Sequence, residues 1–232
     1  MATNGKVDLD GLKKTLASFN DEFTTVPKKL YISNTTELGT VYKKDELKAL
    51  YDFARENDMY FYIDGARLAA ALASDECDYA LSDLTSLCDI FYLGGTKAGF
   101  IFGEALVVKN DDLKKDLNNL IKQKGTMLAK GFVQGIMWER VFEDDGFYLE
   151  GSRKAYDMAK ILARGLIEKG YMLEYPFESN QIFVRISEDD YDKWKSVALF
   201  ELIDEDENSK LVRLVTTYRT SLAEVKGFLA DI

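Results

Sequence analysis

A chain of 232 residues with 47% hydrophobic and 30% charged residues has the balance of a folded globular protein, long enough for one large core or a core and an appendage. Its formal net charge of −10 disfavours nucleic-acid phosphate and anionic lipid as partners, since both are bound through Lys and Arg. The absence of histidine excludes His-based triads and most zinc chemistry, so catalysis must use other side chains, water or a cofactor.

In chain order, Leu12, Leu16 and Phe19 predict a short helix, and Lys29-Leu30-Tyr31-Ile32-Ser33 a buried strand followed by a loop from Asn34 to Gly39. Leu47, Leu50, Tyr51 and Ala54 have the spacing of an amphipathic helix. Tyr60-Phe61-Tyr62-Ile63 reads as a strand running into the Asp64-Gly65 turn. A short helix over Leu81 to Leu87 precedes the apolar run Ile90-Phe91-Tyr92-Leu93, which ends at Gly94-Gly95, and Ala105 to Val108 is a fourth strand. Strands joined by helical crossovers predict an α/β fold: a mostly parallel sheet with helices on both faces, whose ligands gather at the carboxyl ends of the strands.

Beyond this, Leu113, Leu117, Leu120 and Ile121 predict a helix, residues 126–142 another, and residues 155–166 a long one ended by Gly170. Strand-like segments follow at residues 171–175, 181–186 and 211–215, and Ser221 with Glu224 makes a capping box for a last helix. We expect residues 1–148 to form part of a large domain and residues 149–232 a small α+β domain. The acidic run Ile203 to Asn208 lacks the spacing of a calcium loop and reads as a solvated turn. Cys77 and Cys88 are expected as reduced thiols. With no apolar stretch of membrane-spanning length and no leader pattern, the cytoplasm is the expected location.

Two residues stand out for chemistry. Lys97 follows Gly94-Gly95-Thr96 at the end of a buried strand, where burial would lower the amine's pKa and the glycines would let a bulky group approach the backbone. Asp64, also at a strand end and followed by Gly65-Ala66-Arg67, needs a partner that a pyridinium N–H or Arg67 could supply. Taken singly, each also fits an ordinary turn residue, but the predicted topology puts both on one sheet edge. Arg213, flanked by Leu211, Val212, Leu214 and Val215, suits bidentate carboxylate binding or could face water. Lys130 and Arg140 could meet phosphate or lie on a solvated helix face.

These motifs, with Asn34-Thr35-Thr36-Glu37-Leu38-Gly39, Gly103-Glu104-Ala105, Leu128-Ala129-Lys130-Gly131 and Val212-Arg213-Leu214-Val215-Thr216, resemble the threonine aldolase and β-eliminating lyase family of fold-type I pyridoxal-phosphate enzymes along almost the whole chain. The resemblance implies that Lys97 carries pyridoxal 5'-phosphate as a Schiff base and that Asp64 holds the pyridine nitrogen protonated. It also implies Arg67 near the phenolate oxygen, Thr36 near the ring, Thr96 and Lys130 among the cofactor-binding residues, and Arg213 on the substrate carboxylate. The implied reaction cleaves the Cα–Cβ bond of a β-hydroxy-α-amino acid, threonine giving glycine and acetaldehyde, in a homodimer or homotetramer. β-Elimination, an aminotransferase-like reaction, and a non-catalytic, self-associating remnant are the alternatives. Two departures lead us to expect weak cofactor binding, or none, by this chain alone. It starts where the family's large domain is already under way, without roughly the first third, and it has Lys130-Gly131-Phe132 where relatives carry Lys-Gly-Arg.

Overall fold

The computed structural model describes residues 4–19, 21–144 and 146–232. Helix α1 (Leu9–Ala17) starts at Asp8, whose carboxylate accepts from the Asp10 and Gly11 N–H groups. That cap sets the start three residues before Leu12, and Phe19 falls outside the helix. Strand β1 (Lys29–Ser33) leads to α2 (Lys44–Glu56), whose Glu46 accepts from the Lys43 N–H at 2.7 Å, and then to β2 (Tyr60–Asp64). A short α3 (Leu68–Leu72), which the hydrophobic spacing did not reveal, and a 3-10 turn over Leu81–Ser86 precede β3 (Ile90–Gly94) and β4 (Glu104–Val108).

These four strands form one sheet in the order β1-β2-β3-β4. The first three are parallel, as the crossovers predict, whereas β4 returns antiparallel to β3, pairing Gly94 with Glu104. The reversal follows from the short connection between them, since a parallel return needs a crossover of a dozen or more residues. Even-numbered positions of β1 and odd-numbered positions of β2 and β3 (Leu30, Ile32, Phe61, Ile63, Phe91, Leu93) are buried with Leu47, Leu50, Phe53 and Ala54 of α2 and with Leu68, Ala69 and Ala71 of α3. Each fully buried Leu, Ile or Phe there contributes about 1.5–3 kcal/mol. The opposite face carries Tyr31, Tyr62 and Tyr92 and is more open, with Tyr31 46% exposed.

The predicted helix over residues 113–121 is broken in two, α4 (Asp111–Lys114) and α5 (Leu117–Gln123), because Asp116 adopts φ 55° between them. Then come α6 (Phe132–Glu143) and the 22-residue α7 (Phe147–Glu168). Helix α7 is shared by two cores: Tyr148 packs with the first sheet, while Ala159, Leu162, Ala163 and Leu166 pack with the second.

The second sheet comprises β5 (Gln181–Ile186), β6 (Glu201–Glu205) and β7 (Lys210–Val215), antiparallel in the order β5-β7-β6. Between them α8 (Glu188–Val197) contributes the fully buried Trp194, and α9 (Leu222–Asp231) closes the chain with the predicted Ser221–Glu224 capping box. Residues 171–175 are not a strand; Leu173 makes only an isolated bridge to Val184. The acidic run is half strand, since β6 extends through Glu205 and the chain turns only at Asp206, whose carboxylate accepts from the Asn208 and Ser209 N–H groups. Among the described residues no helix is long and apolar enough to cross a membrane, and Cys77 and Cys88 are free.

Candidate active site

The carboxyl end of β3 is built on close backbone contact. Gly94 donates its N–H to the Gly65 carbonyl at 2.9 Å, and a β-carbon on Gly65 would overlap the Tyr92 carbonyl, one on Gly94 the Ala66 carbonyl. Only glycine lets the β2 and β3 ends approach this closely. The chain then turns through Thr96–Ala98, Ala98 donating back to Gly95, and this turn presents Lys97.

Lys97, Thr96, Arg67 and Arg213 line one cleft of about 250 Å³, together with Ser152, Asn180, Gln181 and Tyr218. Partial burial, then the nearby Arg67 charge, hold the Lys97 amine below its usual pKa, against the opposing pull of Glu37, Asp64 and Glu104. Arg67 pairs loosely with Glu37 at 3.4 Å.

Asp64 lies at the end of β2, within electrostatic reach of Lys97. Burial raises its pKa, but phenol donation from Tyr31 and Tyr92, the Ala66 N–H at 3.0 Å and the Lys97 charge outweigh that, so it is held below the usual aspartate value. Tyr92 donates to its Oδ1 at 2.5 Å and Tyr31 to its Oδ2. The Tyr31 phenol is in turn pushed up to about 12 by burial and by this carboxylate. Glu104, opposite Gly94, accepts from the Gly95 N–H at 3.2 Å, and burial raises its pKa.

Arg213 occupies the middle of β7, pointing away from the Val212 and Leu214 core. Its Nη1 donates to Gln181 Oε1 at 3.0 Å and its Nη2 to Glu201 across the β6 pair. Gln181 also donates to Thr35 at 3.3 Å, tying the two sheets together. Two buried atoms of the cleft residues, Arg213 Nε and Asn180 Oδ1, have no hydrogen-bond partner among the described residues, the Asn180 amide being oriented by its Nδ2 donating to the Thr216 carbonyl.

Thr36 and Lys130 lie outside this cleft. The Thr36 hydroxyl is buried and paired with Thr40 at 2.7 Å inside the loop after β1. Lys130 is exposed in the turn before α6, and Arg140 is paired with Glu143 and Asp144. Sequence reasoning missed Tyr31, Tyr92, Ser152, Asn180, Gln181 and Glu104. The alternation in β1 to β3 carried a signal for the tyrosines, whose positions share the Asp64 face, but Glu104 depends on the antiparallel return of β4, and Ser152, Asn180 and Gln181 on how α7 and the second sheet pack against the first.

A nitrogen nucleophile of lowered pKa, an oriented carboxylate and two guanidinium groups suit an anionic, carbonyl-bearing aromatic ligand, and the unpartnered Arg213 Nε and Asn180 Oδ1 leave polar capacity for a bound molecule. The residues therefore fit pyridoxal phosphate.

Comparison with known proteins agrees with the fold. The family profile described as Beta-eliminating lyase matches residues 1–189. A low specificity L-threonine aldolase of Pseudomonas aeruginosa is 34% identical over 163 residues, covering 70% of this chain and 47% of its own length. That of another Pseudomonas species is 29% identical, covering 98% of this chain and 65% of its own length. The chain thus spans about half to two thirds of these relatives. A threonine aldolase structure from Leishmania major superposes with a TM-score of 0.94 at 36% identity, over 99% of this chain and 67% of that one. Cystalysin from Treponema denticola, a structure containing pyridoxal 5'-phosphate, shares the fold with a TM-score of 0.69 at 15% identity, over 100% of this chain and 61% of that one. By the match of its motifs and fold, the chain belongs to the β-eliminating lyase family, with threonine aldolases among its relatives.

Proposed function

We propose that this chain carries the lysine side of a pyridoxal-phosphate-dependent site that cleaves the Cα–Cβ bond of a β-hydroxy-α-amino acid, converting threonine to glycine and acetaldehyde. The observation that carries the reading is the meeting of Lys97, Arg67 and Arg213 in one cleft, with Asp64 at the adjoining strand end. When bound, the cofactor supplies an electron sink for the carbanion left at Cα.

Lys97 is the residue that holds the cofactor covalently, its amine made available by partial burial and by the Arg67 charge. Asp64 accepts the pyridine N–H. Arg67 and Thr96 orient the ring substituents, and Thr36 shapes the loop beside them. Arg213 takes the substrate carboxylate, sharing its guanidinium with Gln181 and Glu201. With no histidine in the chain, Lys97 is the amine placed to move a proton at the substrate carbon.

The two cores support division into a larger unit, residues 1–148, and a smaller one, residues 149–232, joined through α7. Exposed apolar side chains on and near α6, among them Phe132 at 63% and Ile136 at 58%, support self-association as a homodimer or homotetramer, in which Lys130 beside them would serve the site of a second copy. Free Cys77 and Cys88 suit a cytoplasmic location.

The test is reduction with borohydride after adding pyridoxal phosphate, followed by peptide mapping. The label is expected on Lys97, and a label that lies elsewhere removes the assignment. Where the chain takes up the cofactor, threonine should release acetaldehyde, while a β-substituted amino acid should release no pyruvate.

A further inference from the structure

Odd positions of β1 and even positions of β2 and β3 share one face of the first sheet, and register places Tyr31 beside Tyr62 and Ser33 beside Asp64. Tyr31 and Tyr62 stack with centroids 5.3 Å apart and rings 9° from parallel, and Tyr62 lies 6.4 Å from Tyr92. The outer two rings of this row turn their hydroxyls onto Asp64, one on each carboxylate oxygen.

An ionised carboxylate offers about four acceptor positions. On Oδ1 two are filled, by Tyr92 and by the Ala66 N–H; on Oδ2 one is filled, by Tyr31. Among the described residues no Lys or Arg lies within ion-pairing distance of Asp64. Neutral phenols therefore orient this carboxylate, and one position on Oδ2 remains. A single linear N–H donor matches that remainder, whereas a guanidinium or ammonium would bring several donors. Tyrosine suits the task because its ring is rigid, with only two rotatable bonds, and stacking restrains it further.

We infer that Tyr31 and Tyr92 are positioning residues that hold the Asp64 carboxylate in one orientation and reserve one lone pair on Oδ2 for a pyridinium N–H. The inference rests on the cofactor reading and deepens it: these phenols act through Asp64 and set how strongly the chain takes up a pyridine ring.

The experiment uses the full chain and its Tyr31→Phe, Tyr92→Phe and Asp64→Asn variants, with pyridoxal 5'-phosphate as the probe and circular dichroism as the check on folding. The Asp64 midpoint is followed by carboxyl-carbon NMR without cofactor, and the dissociation constant by the absorbance of the bound probe without substrate. Each phenylalanine variant should raise the Asp64 midpoint and weaken binding roughly tenfold, approaching the Asp64→Asn value when both are combined. Tyrosines that only support the sheet would lower the melting temperature and leave the midpoint where it was, which overturns the inference. Unchanged binding in both variants, with the parental label still on Lys97, overturns it while leaving the proposed function intact. No uptake of the probe by the parental chain removes both.

Discussion

The two sheets deliver polar groups to the same cleft by different routes. In the four-stranded sheet Lys97 enters the cleft from the turn after a parallel strand, with Asp64 at the adjoining strand end, where the backbone itself must be shaped, and Gly65 and Gly94 allow that. In the three-stranded sheet Arg213 sits in the middle of the central strand and reaches the cleft by alternation alone, with Val212 and Leu214 buried on the other face. A site built from strand ends is vulnerable to backbone change. A site built on a strand face is vulnerable to its core and tolerant at its rim.

The largest expected effect breaks the second route at its base. Trp194→Ala empties a fully buried position under β5 and β7, and should cost about 3–5 kcal/mol in urea unfolding. A loss below about 1 kcal/mol would mean that the second sheet does not depend on this core. Next, Gly65→Ala forces the first route apart, because its β-carbon meets a backbone carbonyl that cannot turn aside. We expect about 1–3 kcal/mol of destabilisation together with slower borohydride-trapped labelling of Lys97. Destabilisation without slower labelling would show that the strand-end contact does not set the lysine's position.

Charge sharpens the contrast within the strand-end group. The Lys97 pKa is lowered in the folded chain, so an amine reagent should modify it at a lower pH than it modifies surface lysines, and Arg67→Gln should move that profile upward. A lowered lysine pKa means that the unfolded chain binds the proton more tightly, so this contribution to stability improves as pH rises from the folded to the unfolded value. Asp64 is lowered too, and its contribution is present above the unfolded aspartate pKa and lost as pH falls through the folded one. Acid titration of stability in Asp64→Asn should lack that component. The smallest effect belongs to the strand-face route: Glu201 is largely exposed, so Glu201→Gln should change stability by no more than about 1 kcal/mol while altering the competition for Arg213. A larger loss would make Glu201 part of the scaffold.

Periodicity located β1, β2, β3, α2 and the Ser221 capping box because each has a local cause: alternation on a half-buried sheet, a 3.6-residue stripe, or reciprocal side-chain to backbone bonds. It missed α8 and β6, whose charged sequences present weak apolar patterns, and it took residues 171–175 for a strand although only one bridge forms there. At the site, Lys97, Asp64 and Arg213 were legible as residues that break the pattern of their surroundings, while the cofactor roles of Arg67 and Thr96 came from resemblance alone. Thr36 and Lys130 came from resemblance, and their positions outside the cleft were not readable from spacing.

The sequence by itself determined the parallel strand order's local ingredients, the glycines at the strand ends and the absence of histidine, since these depend on residue type and near neighbours alone. Only the tertiary structure decided that Tyr31 and Tyr92 close on Asp64, that Gln181, bonded to Arg213, reaches Thr35 146 positions away, and that β4 runs antiparallel. Those contacts are set by register and by the docking of two sheets, which no stretch of consecutive residues encodes.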